Sequence, residues 1–210
     1  MTAAGPRVGP VRGGVQLFAG LVLYAASIAL IVHAQLGNMP WDVLSQGIAL
    51  QLGWSFGTAV IVLSVVVLAC WIPLRQRPGF GTVANVLVIG LLVDPFLAVL
   101  ARSPELAWPA LVGMTAVGIA LNGLATALYI GARMGPGPRD GLMTGLVART
   151  GRPVRVVRIV IEVVVVAFGW LLGGTVGWAT IAYALLIGPI VHPLLSRLTL
   201  PPPTRPTDPR

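Results

Sequence analysis

Apolar residues form long, nearly unbroken stretches along the chain, separated by short segments rich in glycine, proline and arginine. Each stretch is about 18 to 22 residues long, which is the length that an α-helix needs to cross a hydrocarbon core about 30 Å thick. The stretches lie at residues 15–34, 55–73, 82–100, 110–131, 154–172 and 176–197. The pattern therefore predicts an all-α membrane protein with six transmembrane helices.

The chain also contains an internal duplication. Residues 15–100 align with residues 113–198 at a constant offset of 98 positions and without a gap, and about a third of the aligned residues are identical. The identical pairs include Gly37 and Gly135, Pro40 and Pro138, Asp42 and Asp140, Gly53 and Gly151, Gly79 and Gly177, and Thr82 and Thr180. We therefore predict two transmembrane repeats, with a leader at 1–14, a connector at 101–112 and a tail at 199–210.

Each repeat has three predicted spans, an odd number, so the second repeat enters the membrane from the side opposite to the first. This predicts inverted repeats related by a pseudo-two-fold axis in the membrane plane, an arrangement found in many secondary transporters. The arginines favour cytoplasmic termini, because in that orientation all fourteen except Arg102 face the cytoplasm. The leader and the proline-rich tail are expected to be disordered cytoplasmic segments.

A short segment follows the first span of each repeat. Residues 43–52 and 141–150 would reach only about 15 Å as helices and cannot cross the bilayer alone. The connector GNMPWD precedes the first segment and Gly53 follows it, and the connector GPGPRD precedes the second segment and Gly151 follows it. Proline and aspartate are typical of helix starts, and glycine is typical of helix ends. The sequence predicts two short interfacial or re-entrant helices, with the first connector at the outer membrane face and the second at the cytoplasmic face.

The composition agrees with a membrane location and argues against a soluble protein, a nucleic-acid-binding protein and a metal-dependent enzyme. Hydrophobic residues make up 56 % of the chain and charged residues 10 %, which is too little polar surface for a soluble globule. The net charge of +8 comes from arginines that suit the topology, so no nucleic-acid partner is predicted. Cys70 is the single cysteine, and no Cys or His cluster has metal-ligand spacing. No catalytic residue, metal or cofactor is predicted, and we do not expect an enzyme.

Three segments carry a resemblance to a known family. They are LYAASIALIVHAQLGNMPWDVLSQGIALQLGWSFGTA, IPLRQRPGFGT and LYIGARMGPGPRDGLM, together with the Gly-Arg that follows. In this order they resemble the YczE branch of the YczE/YyaS/YitT bacterial membrane proteins, and the resemblance extends over about residues 15–198. It implies a multi-pass protein of the bacterial inner membrane, and it supplies no catalytic residues.

Asp42 and Asp140 are the first candidate site residues. A carboxylate at a helix break beside Gly and Pro can coordinate a cation, carry a proton or bind a cationic substrate. In the alternative interpretation, each Asp only caps the first turn of its short helix. Recurrence in both repeats does not separate the two interpretations, because a duplication preserves structural residues as well as functional ones.

Glu162 lies among Val and Ile residues in the fifth predicted span, where an unpaired charge is costly. Arg158 lies four residues earlier on the same helical face, and an ion pair between the two would compensate the charge. The alternative is a Glu162 that takes up protons or binds a ligand. Its counterpart in the first repeat is Ser64, so such a site would be asymmetric.

Four further polar residues lie in the predicted spans. Asp94 and His192 occupy equivalent positions, each directly before a proline, and they suit a proton path. Alternatively, both are simply solvated near the ends of their spans. Asn85 and Asn122 can bind a polar ligand or form hydrogen bonds between helices.

Arg149, Arg152, Arg155 and Arg158 recur at every third position and predict a basic stripe on the cytoplasmic side. Such a stripe suits anionic lipid headgroups or a phosphorylated solute. The alternative is that these arginines only fix the topology and contact headgroups.

These observations favour a transporter or permease-like protein for a small solute, with the acidic residues and His192 available for proton coupling. The rival class is a non-transporting membrane scaffold or accessory factor for another membrane or biosynthetic complex, which the small extramembrane loops would suit. The sequence predicts contact with the lipid bilayer, but it selects neither a substrate nor an oligomeric state.

Overall fold

A computed structural model describes residues 10–201, and its regular secondary structure within that range is α-helix. The helices are α1 (Pro10–Ala34), α2 (Pro40–Leu52), α3 (Phe56–Ala69), α4 (Trp71–Leu74), α5 (Phe80–Leu100), α6 (Trp108–Gly131), α7 (Pro138–Thr150), α8 (Val154–Leu171) and α9 (Trp178–Leu198). Because α1 begins at Pro10, the end of the predicted leader is helical. The rest of that leader and most of the predicted tail, residues 1–9 and 202–210, lie outside the described residues.

The centre of the fold is an antiparallel pair of long helices, α1 and α6. Gly20 of α1 lies against the backbone of α6 at Tyr129, and Gly118 of α6 lies against Ile31 of α1. A Cβ at Gly20 would lie 2.8 Å from the Tyr129 nitrogen, and one at Gly118 would lie 2.6 Å from the Ile31 side chain. Both positions therefore need the smallest residue, and small residues are what lets membrane helices approach closely.

Two further long helices flank this pair, since α5 packs against α1 and α9 packs against α6. The chain after α1 bonds to the start of α9, because the Ala179 amide donates to the Leu36 carbonyl at 3.0 Å. The chain after α6 bonds to the start of α5 in the same way, because the Gly81 amide donates to the Met134 carbonyl at 2.7 Å. Each connector is thereby tied to a helix from the other half of the chain.

The short helices α2 and α7 have matching ends. Each has 13 residues, begins with a proline and ends at a glycine in the left-handed conformation, Gly53 at φ 65° and Gly151 at φ 64°. Proline suits the first position because the amide that it lacks would have no partner there, and glycine adopts a positive φ without strain. Both helices start three residues earlier than the sequence predicts, because Pro40 and Pro138 form part of the first turn.

Each short helix packs mainly against helices from the other half of the chain, α2 against α8 and α7 against α3 and α4. α8 presents Gly169 to α2, where an added Cβ would lie 2.5 Å from the Leu44 amide nitrogen. α4 presents Trp71, whose ring covers Gly141 and whose indole N–H donates to the Pro138 carbonyl at 3.0 Å. These contacts fix the position at which each short helix begins.

Five helical stretches in the described part of the chain are long and apolar enough to cross a membrane. They are Val11–Ala34, Phe56–Leu74, Phe80–Leu100, Trp108–Gly131 and Trp178–Leu198. α8 corresponds to the remaining predicted span and has 18 residues, but it carries Arg155, Arg158 and Glu162. Many exposed side chains of the long helices are Val, Leu, Ile, Phe or Trp, which indicates contact with the lipid bilayer.

Replacing Gly169 with alanine is expected to destabilise the protein, because the added methyl group would collide with the backbone of α2. Overpacking of this kind costs about 1–3 kcal/mol and lowers the Tm of a chain of this size by roughly 3 to 10 °C. The matched control is Gly113→Ala in α6, where nothing lies within 4 Å of the added atom. Thermal unfolding in detergent measures both variants, and an unchanged Tm for Gly169→Ala would contradict the packing of α2 on α8.

Candidate functional site

A partly open cavity of ≈ 350 Å³ is lined by residues from α1, α2, α6, α7, α8 and α9. Its charged and titratable lining residues are Arg139, Asp140, Arg158, Glu162 and His192, and its aromatic lining residues are Tyr24, Trp41, Tyr129 and Tyr183. Four of the residues that the sequence analysis singles out, Asp140, Arg158, Glu162 and His192, therefore share one cavity. Both halves of the chain contribute to its walls.

An ion pair joins the first turns of the two short helices at the wall of this cavity. Arg139 Nη2 donates to Asp42 Oδ1 at 3.0 Å. The Asp42 side chain is fully buried, whereas the Arg139 side chain is 22 % exposed and lines the cavity. The guanidinium also lies over the Trp41 ring, 5.4 Å from the ring centroid. Within residues 10–201, no hydrogen-bond donor reaches Asp42 Oδ2.

This ion pair brings the last residues of the two connectors together, so the predicted placement at opposite membrane faces does not extend to Asp42 and Arg139. The connectors still begin at opposite ends of the antiparallel pair of α1 and α6. Asp42 and Arg139 belong to the two connector motifs, and a direct side-chain contact cannot bridge a hydrocarbon core about 30 Å thick. The physical reason is that a buried charge needs a partner, and each connector supplies one to the other. The Asp42 carboxylate therefore accepts its hydrogen bond from Arg139 and does not cap its own helix.

Asp140 also lies in a first turn, that of α7, and its carboxylate accepts a hydrogen bond from the Tyr129 hydroxyl. Tyr24 packs edge-on against Tyr129, with ring centroids 6.0 Å apart. Asn85 lies next to this group, where it lines a second, smaller cavity of ≈ 40 Å³ together with both tyrosines and Asp140. That volume holds about one or two water molecules. Asn85 is thus placed beside the main cavity rather than in its wall.

The ion pair expected between Arg158 and Glu162 is present on α8. Arg158 Nε donates to Glu162 Oε1 at 2.8 Å, and both residues line the cavity. Glu162 is paired with Arg158 and its side chain is still 22 % exposed. An ion pair on α8 is therefore compatible with a Glu162 that takes up protons or binds a ligand. His192 lines the same cavity from α9.

Two other candidates lie away from the cavity and make structural hydrogen bonds. Asp94 accepts from the Gly57 amide at 2.9 Å and so satisfies a free amide in the first turn of α3. Asn122 is fully buried, donates to Ser27 at 2.8 Å and accepts from the Tyr183 hydroxyl at 2.9 Å. These bonds connect α1, α6 and α9, so Asn122 forms the hydrogen bonds between helices that the sequence analysis offered as one of its two roles. They also hold the cavity-lining Tyr183 in place.

The predicted arginine stripe is divided in two. Arg149, Arg152 and Arg155 are exposed, and Arg149 donates to the Pro73 carbonyl at 3.2 Å. Arg158 instead turns towards Glu162 at the cavity. The basic surface therefore consists of three arginines rather than four.

The sequence analysis missed several lining residues. They are Arg139, Tyr24, Trp41, Tyr129 and Tyr183. For Arg139 a signal was available, because it precedes Asp140 in GPGPRD and aligns with Trp41 in the duplication, and the two aligned residues contact each other. Tyr24 and Tyr183 had a comparable signal, because at the offset of 98 positions they align with the candidate residues Asn122 and Asn85. Tyr129 aligns with Ile31 and had no such signal.

The chemistry of the cavity suits a small charged or zwitterionic solute. Two guanidinium groups are hydrogen-bond donors, and two carboxylates are acceptors. The first turns of α2 and α7 add the positive ends of two helices. Within residues 10–201, no group of three or more His, Cys, Asp or Glu side chains is placed to hold a metal ion.

Comparisons with known proteins identify the family. The model of a family of unknown function, DUF6198, matches residues 12–195. An uncharacterized protein of Haemophilus influenzae is 41 % identical over 177 residues, which cover 82 % of this chain and 80 % of that protein. The uncharacterized membrane protein YczE of Bacillus subtilis is 30 % identical over 187 residues, which cover 88 % of this chain and 83 % of YczE. The uncharacterized protein YyaS of Bacillus subtilis is 24 % identical over 175 residues, which cover 82 % of this chain and 87 % of YyaS.

No solved structure matches the chain. The resemblance to the YczE branch is confirmed by the family match and by the similarity to YczE and YyaS. The description of YczE as a membrane protein agrees with the five long apolar helices found here. The chain thus belongs to the DUF6198 family and is a YczE-like membrane protein.

Proposed function

We propose that this protein is a transporter for a small solute and that the cavity of ≈ 350 Å³ is its substrate site. The observation that carries the proposal is the meeting of two short helices at the cavity wall, through the ion pair of Asp42 and Arg139. Each helix N-terminus carries about half a positive charge. Secondary transporters place such broken-helix ends at substrate sites near the bilayer midplane. A scaffold has no need of a polar cavity lined by both halves of the chain.

The proposed architecture has six membrane crossings in two inverted repeats, with α8 as the sixth. Glu162 and Arg158 pair with each other and face the cavity rather than lipid, which lowers the cost of their burial. Each half of the chain then crosses three times. The antiparallel crossing of α1 and α6, and the exchanged backbone bonds of Leu36 and Met134, support a pseudo-two-fold axis in the membrane plane. α2 and α7 are then re-entrant helices.

The proposed location is the bacterial inner membrane, with both termini in the cytoplasm, as the distribution of arginines favours. In that orientation the exposed Arg149, Arg152 and Arg155 lie on the cytoplasmic side and contact anionic lipid headgroups. Asp140, Glu162 and His192 are the proposed proton carriers, because they line the cavity together. We assign no enzymatic reaction to this arrangement.

Removing either carboxylate from the cavity is expected to reduce transport strongly. Proteoliposomes are incubated with a defined mixture of small metabolites, and the internalised solutes are quantified by mass spectrometry against protein-free liposomes. Glu162→Gln and Asp140→Asn should each reduce uptake by roughly ten- to a hundredfold, the loss expected when a hydrogen bond to a charged group is removed. Membrane abundance of both variants should stay the same.

The matched control is Asp94→Asn, because Asp94 bonds to Gly57 away from the cavity and asparagine still offers an acceptor. Its uptake should equal that of the unmodified protein. Unchanged uptake in both cavity variants would remove the proposed site. A lack of any uptake, together with copurification of a stoichiometric membrane partner, would favour the scaffold function instead.

Neutralising the exposed arginines is expected to weaken the retention of anionic lipid. A variant with Arg149, Arg152 and Arg155 replaced by Gln loses about 1 kcal/mol of attraction per arginine. Native mass spectrometry after purification with phosphatidylglycerol should therefore show less bound lipid than for the unmodified protein. Arg102→Gln is the control, because Arg102 is exposed near the other end of the long helices. Equal retention by both variants would contradict the proposed headgroup contact.

A further inference from the structure

We propose that Arg139 is an anion-binding residue that Asp42 and the carboxylate of a small organic acid occupy in turn, and that each anion binds together with one proton taken up by Asp42. This inference rests on the proposed transport function and names its substrate class. The geometry that carries it is an ion pair whose basic member faces the cavity while its acidic member is sealed in the wall.

The exposure of the two partners differs in a way that favours ligand exchange. Arg139 is 22 % exposed and Asp42 is fully buried, so a solute in the cavity can reach the guanidinium but not the carboxylate. The described residues give Arg139 a single hydrogen bond, from Nη2 to Asp42 Oδ1. A guanidinium has five N–H donors in a fork that matches a carboxylate with two parallel bonds. Arg139 therefore keeps donors that an incoming carboxylate can use.

Exchange at Arg139 requires a proton, because it removes the counter-charge of Asp42. A buried carboxylate without a partner is strongly unfavourable, and its Oδ2 atom already has no donor within residues 10–201. A proton on Oδ2 neutralises Asp42 at the moment when Arg139 turns to the substrate. The proton comes from the solution that fills the cavity, and it returns there when the substrate anion leaves and the ion pair re-forms.

The surroundings of Asp42 leave it as the group that takes this proton. The titratable side chains facing it are Arg139 on α7, Tyr24 on α1 and Tyr183 on α9. The α3 sequence holds no titratable residue. α8 approaches α2 through Gly169 and keeps its ion pair of Arg158 and Glu162 at the cavity.

The charge of the cavity favours an anion over a cation. With Asp42 neutralised, two arginines face two carboxylates, Asp140 and Glu162. The N-termini of α2 and α7 then add about half a positive charge each. Both carboxylates are already engaged, Glu162 by Arg158 and Asp140 by Tyr129. A cationic solute would therefore have only the Asp140 carboxylate to pair with, whereas an anion would meet the Arg139 guanidinium and the two helix N-termini.

The lining also favours an organic acid over inorganic phosphate. Around the polar groups, the wall consists largely of apolar and aromatic side chains, among them Trp41, Tyr24, Ile161, Ile187 and Val191. A volume of ≈ 350 Å³ holds an aromatic monocarboxylate such as benzoate, whose ring would replace water against these side chains. Phosphate has no apolar part, so it would leave water in contact with the apolar side chains of the wall.

The test measures benzoate binding to the purified full-length protein by titration calorimetry at several values of pH between about 5.5 and 8. One linked proton lowers the affinity about tenfold for each unit of rise in pH while Asp42 is ionised in the free protein. Benzamide, benzylamine and phosphate are the comparison probes, which are neutral, cationic and inorganic respectively. Only benzoate should bind with this dependence on pH.

Variants separate a ligand role from a structural one. Asp42→Asn mimics the protonated residue, so it should bind benzoate at neutral pH and lose the pH dependence. Arg139→Gln should abolish binding. The double variant Asp42→Asn with Arg139→Gln leaves no buried unpaired charge and should fold, yet it should not bind. Arg152→Gln, an exposed residue outside the cavity, should bind as the unmodified protein does.

Benzoate affinity that is independent of pH in the unmodified protein, or retained after loss of Arg139, would overturn the inference. Tighter binding of benzylamine than of benzoate would overturn it as well. If the protein carries other solutes in proteoliposomes but benzoate does not bind at any pH, the transport proposal survives and this inference fails. If benzoate binds as expected but no solute crosses the membrane, this binding site stands and the transport proposal fails.

Discussion

The contact between Asp42 and Arg139 is the interaction on which the interior of this protein depends. In a membrane protein every charge and every free backbone group inside the apolar region must find a partner within the protein. The first turns of α2 and α7 bring an acidic and a basic side chain together inside the helix bundle, and the two lie 97 positions apart in the sequence. Their ion pair allows two polar helix starts to be buried beside a cavity.

This meeting point exists because glycines let the helices and connectors approach closely. Gly37 has φ 114° and lies against the backbone of Gly177, where a Cβ would be 2.5 Å from the amide nitrogen. At the corresponding position of the second half, Gly135 has φ 126° and lies against Gly79. Both connectors are therefore held against the start of a long helix from the other half. The cavity lies between the helices that these contacts bring together, α1, α2, α6, α7, α8 and α9.

Local features of the sequence predicted the helices well, whereas contacts between distant segments could not be read from it. Apolar run length located the long helices, and the proline and glycine signals located α2 and α7 to within three residues. The spacing of Arg158 and Glu162 predicted their ion pair, because an i, i+4 contact is local. The contact of Asp42 with Arg139 is not local, so the sequence did not show that the last residues of the two connectors meet.

A double-mutant cycle tests most directly whether Asp42 and Arg139 contact each other. Thermal unfolding in detergent would be compared for Asp42→Asn, Arg139→Gln and the double variant, with Arg152→Gln in place of the Arg139 change as the unpaired reference. Residues in direct contact show a coupling of about 0.5–3 kcal/mol, so the double variant should be clearly more stable than the sum of the single losses predicts. Strict additivity, as expected for the Arg152 cycle, would contradict the account.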